Sequence, residues 1–313
     1  MKHFKSVIAL TVICAVIAVL LAVTNSITAP IIEKNASAAA NEALLVVYPD
    51  GGDFTQVDIS TFELPATVTE VGLNAFLNCT SIIRLDWHPE KLSSGAAGSM
   101  ESPAFKGCTS IAEVRIYEEV INIPSYLMYK SSKVAELKGV GTLKFMSGSQ
   151  ARSVGDYAFY QQKIGKVTFP ATIVKIGMES FRNNNWLTII NFGTGTQNIG
   201  QFAFAYCNGL VTVTIPGNVQ TVGAYAFRRC SKLETVVIEE GANYLSSYVF
   251  ANCAALKEVR LPASLTKING GLTYESSANI YYYEGTYADQ YLHSKSARIV
   301  KETLVSLGEY VPA

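Results

Sequence analysis

From Phe62 to Leu272 the apolar positions recur on a fixed beat: an apolar residue, often followed by Gly, then Ala-Phe two residues on, then Cys or Asn three residues after the Phe. The Phe falls at Phe76, Phe105, Phe159, Phe181, Phe204, Phe227 and Phe250, and from Phe181 onward the step is a constant 23 residues. A period of this size is the signature of a solenoid, in which no unit can bury its apolar face alone. One unit can be read position by position. Val213 and Ile215 alternate with Thr212 and Thr214, which predicts a short strand with one face inward. Pro216-Gly217-Asn218 turns the chain, Val219 and Val222 point back to the core, and Gly223 allows a tight bend. Ala226 and Phe227 fill the layer, and Cys230 and Leu233 close the loop into the next strand, Val236–Ile238. The long gap between Phe105 and Phe159 holds a degenerate copy around NIPSYLMYKSSKVAEL, and the gap before Phe105 holds the insert SSGAAGSM. About eight coils result, wound right-handed with a parallel strand ribbon, an α/β solenoid.

Ahead of the periodic part the pattern changes. Lys2 and Lys5 precede an uncharged stretch from Ser6 to Ala29, 24 residues long and enough to cross ~30 Å of hydrocarbon. This predicts one transmembrane helix with the N-terminus inside the plasma membrane and the rest outside. The alternative is a cleaved signal peptide and a secreted product, although the small-residue cleavage pattern is poor. Ile31–Val47, rich in Ala, Glu and Leu, predicts a juxtamembrane helix that stops at Tyr48-Pro49-Asp50-Gly51-Gly52. The expected organisation is an anchor at 1–30, a helix and linker at 31–61, the solenoid at 62–272 and a terminal cap at 273–313.

Composition narrows the function. Lys+Arg and Asp+Glu both number 25, so the basic excess of a nucleic-acid binder is missing. Charged residues are 16% of the chain against 49% hydrophobic, which suits a large core and excludes a disordered chain. No phosphate-binding loop or nucleophile elbow occurs, and His88 and His293 stand far apart, so neither an enzyme nor a metal or cofactor site is expected. Asp156, Glu179, Glu234 and Glu258 read as solvated acids. Cys79, Cys108, Cys207, Cys230 and Cys253 all follow a repeat Phe by three residues, where Gln162 and Asn184 stand in other coils. That interchange predicts a small, partly polar ladder position in place of a disulfide framework or zinc ligands.

The phrases AFLNCTSIIRL, AFKGCTSIAEVRI, AFAYCNGLVTVTIP, AFRRCSKLETVVI and VFANCAALKEVRLP resemble the BspA-like leucine-rich repeats of bacterial surface proteins. The tail ANIYYYEGTYADQYLHSKSARIV resembles that family's terminal unit, a last strand, a helix start and a final short strand. The resemblance implies an arc whose strands line one face, used for binding or adhesion. Separately, Leu21–Phe54 resembles the N-terminal anchor of the FMN-binding G subunit of Rnf-type electron-transport complexes. In that family the flavin is joined to a Thr in a Ser-Gly-Ala-Thr motif; here Ser94-Gly95-Ala96-Ala97 has no oxygen at the attachment position, so no flavin is carried over.

A ligand-binding face would consist of the outward residues of the strands: Arg84, Asp86, Glu113, Arg115, Glu136, Lys138, Lys166, Thr168, Asn191, Thr212, Thr214, Thr235, Glu258 and Arg260, with Ile189 and Val237 as exposed apolar points. Its mixed charge and Thr/Asn content suit a protein or glycan ligand. Tyr281, Tyr282, Tyr283, Tyr287 and Tyr291 either stack on sugars or pack the cap. Two functions follow: a membrane-anchored surface protein for interaction or adhesion, and an accessory subunit of a flavin electron-transport complex. Visible flavin absorbance in the purified protein would separate them.

Overall fold

The computed structural model describes residues 60–129, 141–294 and 302–311. Thr212–Ile215 is a strand whose inward Val213 and Ile215 are buried while Thr212 and Thr214 face solvent. Equivalent strands recur once per turn from Thr61–Leu64 to Thr303–Glu309, and every pairing between them is parallel, in runs of four, two and five strands. The register keeps like residues together: Thr212 lies beside Thr235 and then Glu258, and Val213 beside Val236 and then Val259.

A second wall consists of seven two-residue strands in one parallel sheet, Asn122–Ile123 through Lys267–Ile268. Each contributes one inward apolar residue, such as Ile176, Ile199, Val222 and Leu245, all buried. Just past this wall lies Gly223. A Cβ there would stand 2.6 Å from the carbonyl carbon of Gly200 one coil back, so the glycine is required by the close approach of coils more than by a bend.

The third wall has no regular strands, and this replaces the α/β expectation with a β-solenoid of little helix. In most coils the residues around the Phe form consecutive turns with two left-handed residues four apart, for example Tyr157 and Gln161, Phe202 and Tyr206, Tyr225 and Arg229. A helix cannot contain such residues. Their backbone groups bond to the next coil instead. Tyr225 N–H donates to Ser247 O (3.0 Å), Phe227 N–H to Val249 O (2.9 Å) and Arg229 N–H to Ala251 O (2.9 Å). All three walls are therefore hydrogen-bonded from coil to coil, which satisfies the backbone without helices.

Between the walls, Phe159, Phe181, Phe204, Phe227 and Phe250 form one stacked column with ring centroids 5.3 to 5.6 Å apart. The solenoid makes about ten turns. Counting the repeat Phe gives fewer, because the buried Thr273 takes the column position in a coil that lacks the Phe: the preceding Leu272 O accepts from Phe250 N–H at 2.9 Å, as Val249 O does from Phe227 N–H, and Ser276 follows at the donor station. The terminal unit adds a further turn. Met128 fills the column position in the degenerate coil and is buried.

The terminal unit closes the last coil. Strand Asn279–Glu284 leads through Thr286, whose hydroxyl caps a short helix by accepting from Asp289 N–H (3.3 Å), into helix α1 at Tyr287–Leu292. The parallel strand Thr303–Glu309 follows. A crossover of this kind is what two adjacent parallel strands require. The short strand expected in the Ser-Ala-Arg-Ile-Val stretch lies outside the described residues. Tyr282 and Tyr291 are buried, and Tyr291 Oη donates to Asn269 O at 3.1 Å, so these tyrosines pack the cap.

Among the described residues no helix is long and apolar enough to cross a membrane. The expected anchor, the juxtamembrane helix and the stretch resembling the flavin subunit lie outside them. Ala97, at the position of the flavin attachment residue, is fully buried in the solenoid, with its N–H donating to Ser125 O at 2.8 Å.

Candidate binding surface

The strand wall gathers most of the residues expected there, because pleating sends alternate side chains outward and the parallel register aligns them. Lys166 and Thr168 stand beside Ile189 and Asn191, and Thr212 and Thr214 beside Thr235 and Val237. Ile189 is 45% exposed, as its outward position requires, whereas Val237 is half-buried. Asn191 Nδ2 donates to Thr168 Oγ1 (3.1 Å), a rung between neighbouring coils. Glu136 and Lys138 lie outside the described residues. The next strand after Glu113–Ile116 in the ladder is Thr142–Phe145, and it turns Thr142 and Lys144 outward.

Arg84, Arg115, Lys144 and Arg260 on this wall each pair with an acid within or next to their own strands. Arg115 donates through Nε and Nη2 to both carboxylate oxygens of Glu113 (3.1 and 3.2 Å), and Lys144 Nζ reaches Glu113 Oε1 at 2.6 Å. These two partners hold the Glu113 carboxyl below the usual carboxylate range, Arg115 contributing most. Arg84 Nε donates to Asp86 Oδ2 at 3.2 Å, and Arg260 pairs with Glu258 while lying over the Tyr281 ring, 5.0 Å from its centre. Asp86 is buried, contrary to its expected outward exposure, with its short carboxylate held by the Arg84 guanidinium. The wall thus has paired charges toward its ends and a stretch of hydroxyl, amide and apolar groups in the middle.

The cysteines occupy one repeated interior station. Cys207 Sγ donates to Phe181 O (3.2 Å), Cys230 Sγ to Phe204 O (3.3 Å) and Cys253 Sγ to Phe227 O (3.2 Å). Asn184 Nδ2 reaches Phe159 O at 2.8 Å, and Ser276 Oγ reaches Phe250 O at 3.3 Å from the same station. The ladder position is therefore a donor to the carbonyl of the preceding coil's Phe. Burial raises the Cys108, Cys207 and Cys230 thiols above their ordinary range, Cys108 to about 12. Such inert thiols serve structure.

The turn wall carries a surface that the sequence reading passed over. Phe202, Tyr225 and Tyr248 stack at 4.8 and 5.2 Å, and Tyr126 stacks on Tyr157 at 5.4 Å. These aromatics sit at left-handed positions, where Asn or Gly would be less strained. Arg182 lies between the rings of Phe202 and Tyr206 and pairs with Glu179 at 2.8 Å. Glu179 is accordingly enclosed, with its side chain 13% exposed, and Asp156 Oδ1 accepts from Met178 N–H (2.8 Å), so neither is a freely solvated acid. A signal was present in the sequence: an aromatic recurs two residues before the Phe in Tyr157-Ala-Phe159, Phe202-Ala-Phe204, Tyr225-Ala-Phe227 and Tyr248-Val-Phe250.

Coils with this donor station, a stacked Phe column and a parallel strand wall define a leucine-rich-repeat solenoid. The chain belongs to the BspA type leucine rich repeat family, six copies of which match residues 52–148 and 152–280. Among solved structures it is similar to a leucine-rich-repeat protein of T. pallidum, with 25% identity and TM-score 0.36 over 44% of this chain and 70% of that one. It is also similar to a leucine-rich cell surface protein of Faecalibacterium prausnitzii A2-165, with 19% identity, TM-score 0.39 and 78% of both chains. The pneumococcal vaccine antigen PcpA matches at 14% identity and TM-score 0.37, over 70% of this chain and 71% of that one. At TM-scores this low, the assignment rests on the family match. No curated protein matches the chain.

Proposed function

We propose that this protein is tethered in the plasma membrane by its N-terminal segment and displays the solenoid outside the cell, where the strand wall binds a protein partner in adhesion. Membership of a repeat family of surface proteins supports the reading, and so does the Lys-flanked apolar stretch 6–29. The observation that carries it is the middle of the strand wall. There Thr168, Asn191, Thr212 and Thr214 are exposed uncharged residues on successive strands, with Ile189 and Lys166 beside them. A partner docking there desolvates no buried ion pair, so apolar contact and hydroxyl hydrogen bonds contribute without that penalty. The working object is a shaped surface, with binding in place of catalysis.

The test uses the full chain. A C-terminal tag on intact cells should be cut by added protease. Full-length protein should retain the same surface proteins in pull-downs, identified by mass spectrometry, and Thr212→Arg with Thr214→Arg should abolish that retention. Protection of the tag, or retention unchanged by the two arginines, would overturn the reading.

A further inference from the structure

Two adjacent guanidinium groups on the turn wall have no carboxylate partner among the described residues. Arg84, Arg115, Arg182 and Arg260 each meet an acid, but among the described residues no ion pair forms at Arg228 or Arg229. The Nε of Arg228 is buried without a hydrogen-bond acceptor, as is that of Arg182. Its guanidinium lies 5.3 Å from the centre of the Tyr225 ring, and that of Arg229 lies 5.7 Å from Tyr206. Both arginines border an open hollow of about 360 Å³ whose other walls include Tyr225, Tyr248, Tyr274 and Glu275.

The lining selects among anionic ligands. Tyr225 and Tyr248 stack on each other at 5.2 Å, so their faces are already covered and the hollow has no apolar socket for a side chain or an acyl chain. Glu275 repels a densely acidic peptide yet accepts readily from hydroxyl groups. A ligand with isolated carboxylates and many hydroxyls satisfies both features. We propose that this hollow binds an acidic polysaccharide, Arg228 and Arg229 holding a sugar carboxylate while Glu275 accepts from neighbouring hydroxyls. The site is separate from the strand wall, which leaves that surface free for a protein.

The repeats themselves supply substitutions that preserve the fold. Ala205 and Ala251 occupy the Arg228 station in adjacent coils, and Asn183 and Asn252 occupy the left-handed Arg229 station. The full chain should bind immobilised polygalacturonate and not dextran, with affinity falling as salt rises. Arg228→Ala with Arg229→Asn should weaken binding about tenfold or more, the scale of one lost charge-assisted contact, with thermal unfolding unchanged. Lys232→Gln, which removes a nearby charge outside the hollow, and Thr212→Arg, on the strand wall, should leave it intact. Equal binding to dextran, equal loss in Lys232→Gln, an unaffected double variant, or tighter binding to polyglutamate would each overturn the proposal, the last in favour of an acidic peptide.

Discussion

The coils from Phe159 to Phe250 and the coil at Phe76 are written in the same phrase, yet they bury it to different depths. In the first group every column Phe is at most 1% exposed. In the Phe76 coil the ring is only partly buried, although it stacks on Phe105 at 4.6 Å, and Leu73 beside it is 66% exposed. The sequence of a coil does not by itself create its core; the adjoining coils do, as the interface energetics of stacked repeats require.

The widest test of that contrast is truncation of the column. Phe204→Ala should cost about 3–5 kcal/mol, because rings above and below cannot collapse into the gap. Phe76→Ala should cost less than half as much, read from denaturant unfolding of each variant. Similar costs at the two sites would break the comparison.

A smaller effect is expected at the donor station. Asn184 donates to Phe159 O and Phe181 O and its Oδ1 accepts from Ile164 N–H at 3.3 Å, so Asn184→Ala should cost about 2 kcal/mol by stranding buried groups. Cys230→Ser keeps a donor and should cost under about 1 kcal/mol, measured the same way.

The smallest effect is with pH. Burial lifts the Cys108 thiol from 9.0 to about 12, so the unfolded chain loses this proton first as pH rises. The resulting stability is complete below the unfolded value, declines as pH climbs above it, and is gone past the folded value. Unfolding midpoints should therefore drop between pH 9 and 12, and Cys108→Ser should flatten part of that slope.

Much of this architecture was legible in the spacing. The inward and outward phases of Val213, Ile215, Thr212 and Thr214 follow from alternation alone, and the stacked column follows from the recurring Phe. What periodicity cannot convey is which atoms meet. Cys, Asn, Gln and Ser interchange at one station because a carbonyl in the preceding coil awaits a donor, and a backbone oxygen has no letter in the sequence. Asp86 looked exposed because strand phase says nothing about an arginine holding a short carboxylate. Coils without Phe escaped the count because other buried side chains, Met128 in one coil and Thr273 in another, take the column position. For the binding surface, the strand-wall residues could be named from phase. The arginine hollow could not, since it depends on turns whose left-handed residues are individually unremarkable.

The donor station also bears on how such a chain changes length. Each coil presents the same acceptor to its successor and the same kind of donor to its predecessor, from Cys207 through Cys253 to Ser276. A duplicated or deleted coil therefore leaves both new junctions chemically matched. Gene segments encoding whole coils can be gained or lost without redesigning the interior, and the length of the solenoid can be adjusted in increments of one turn.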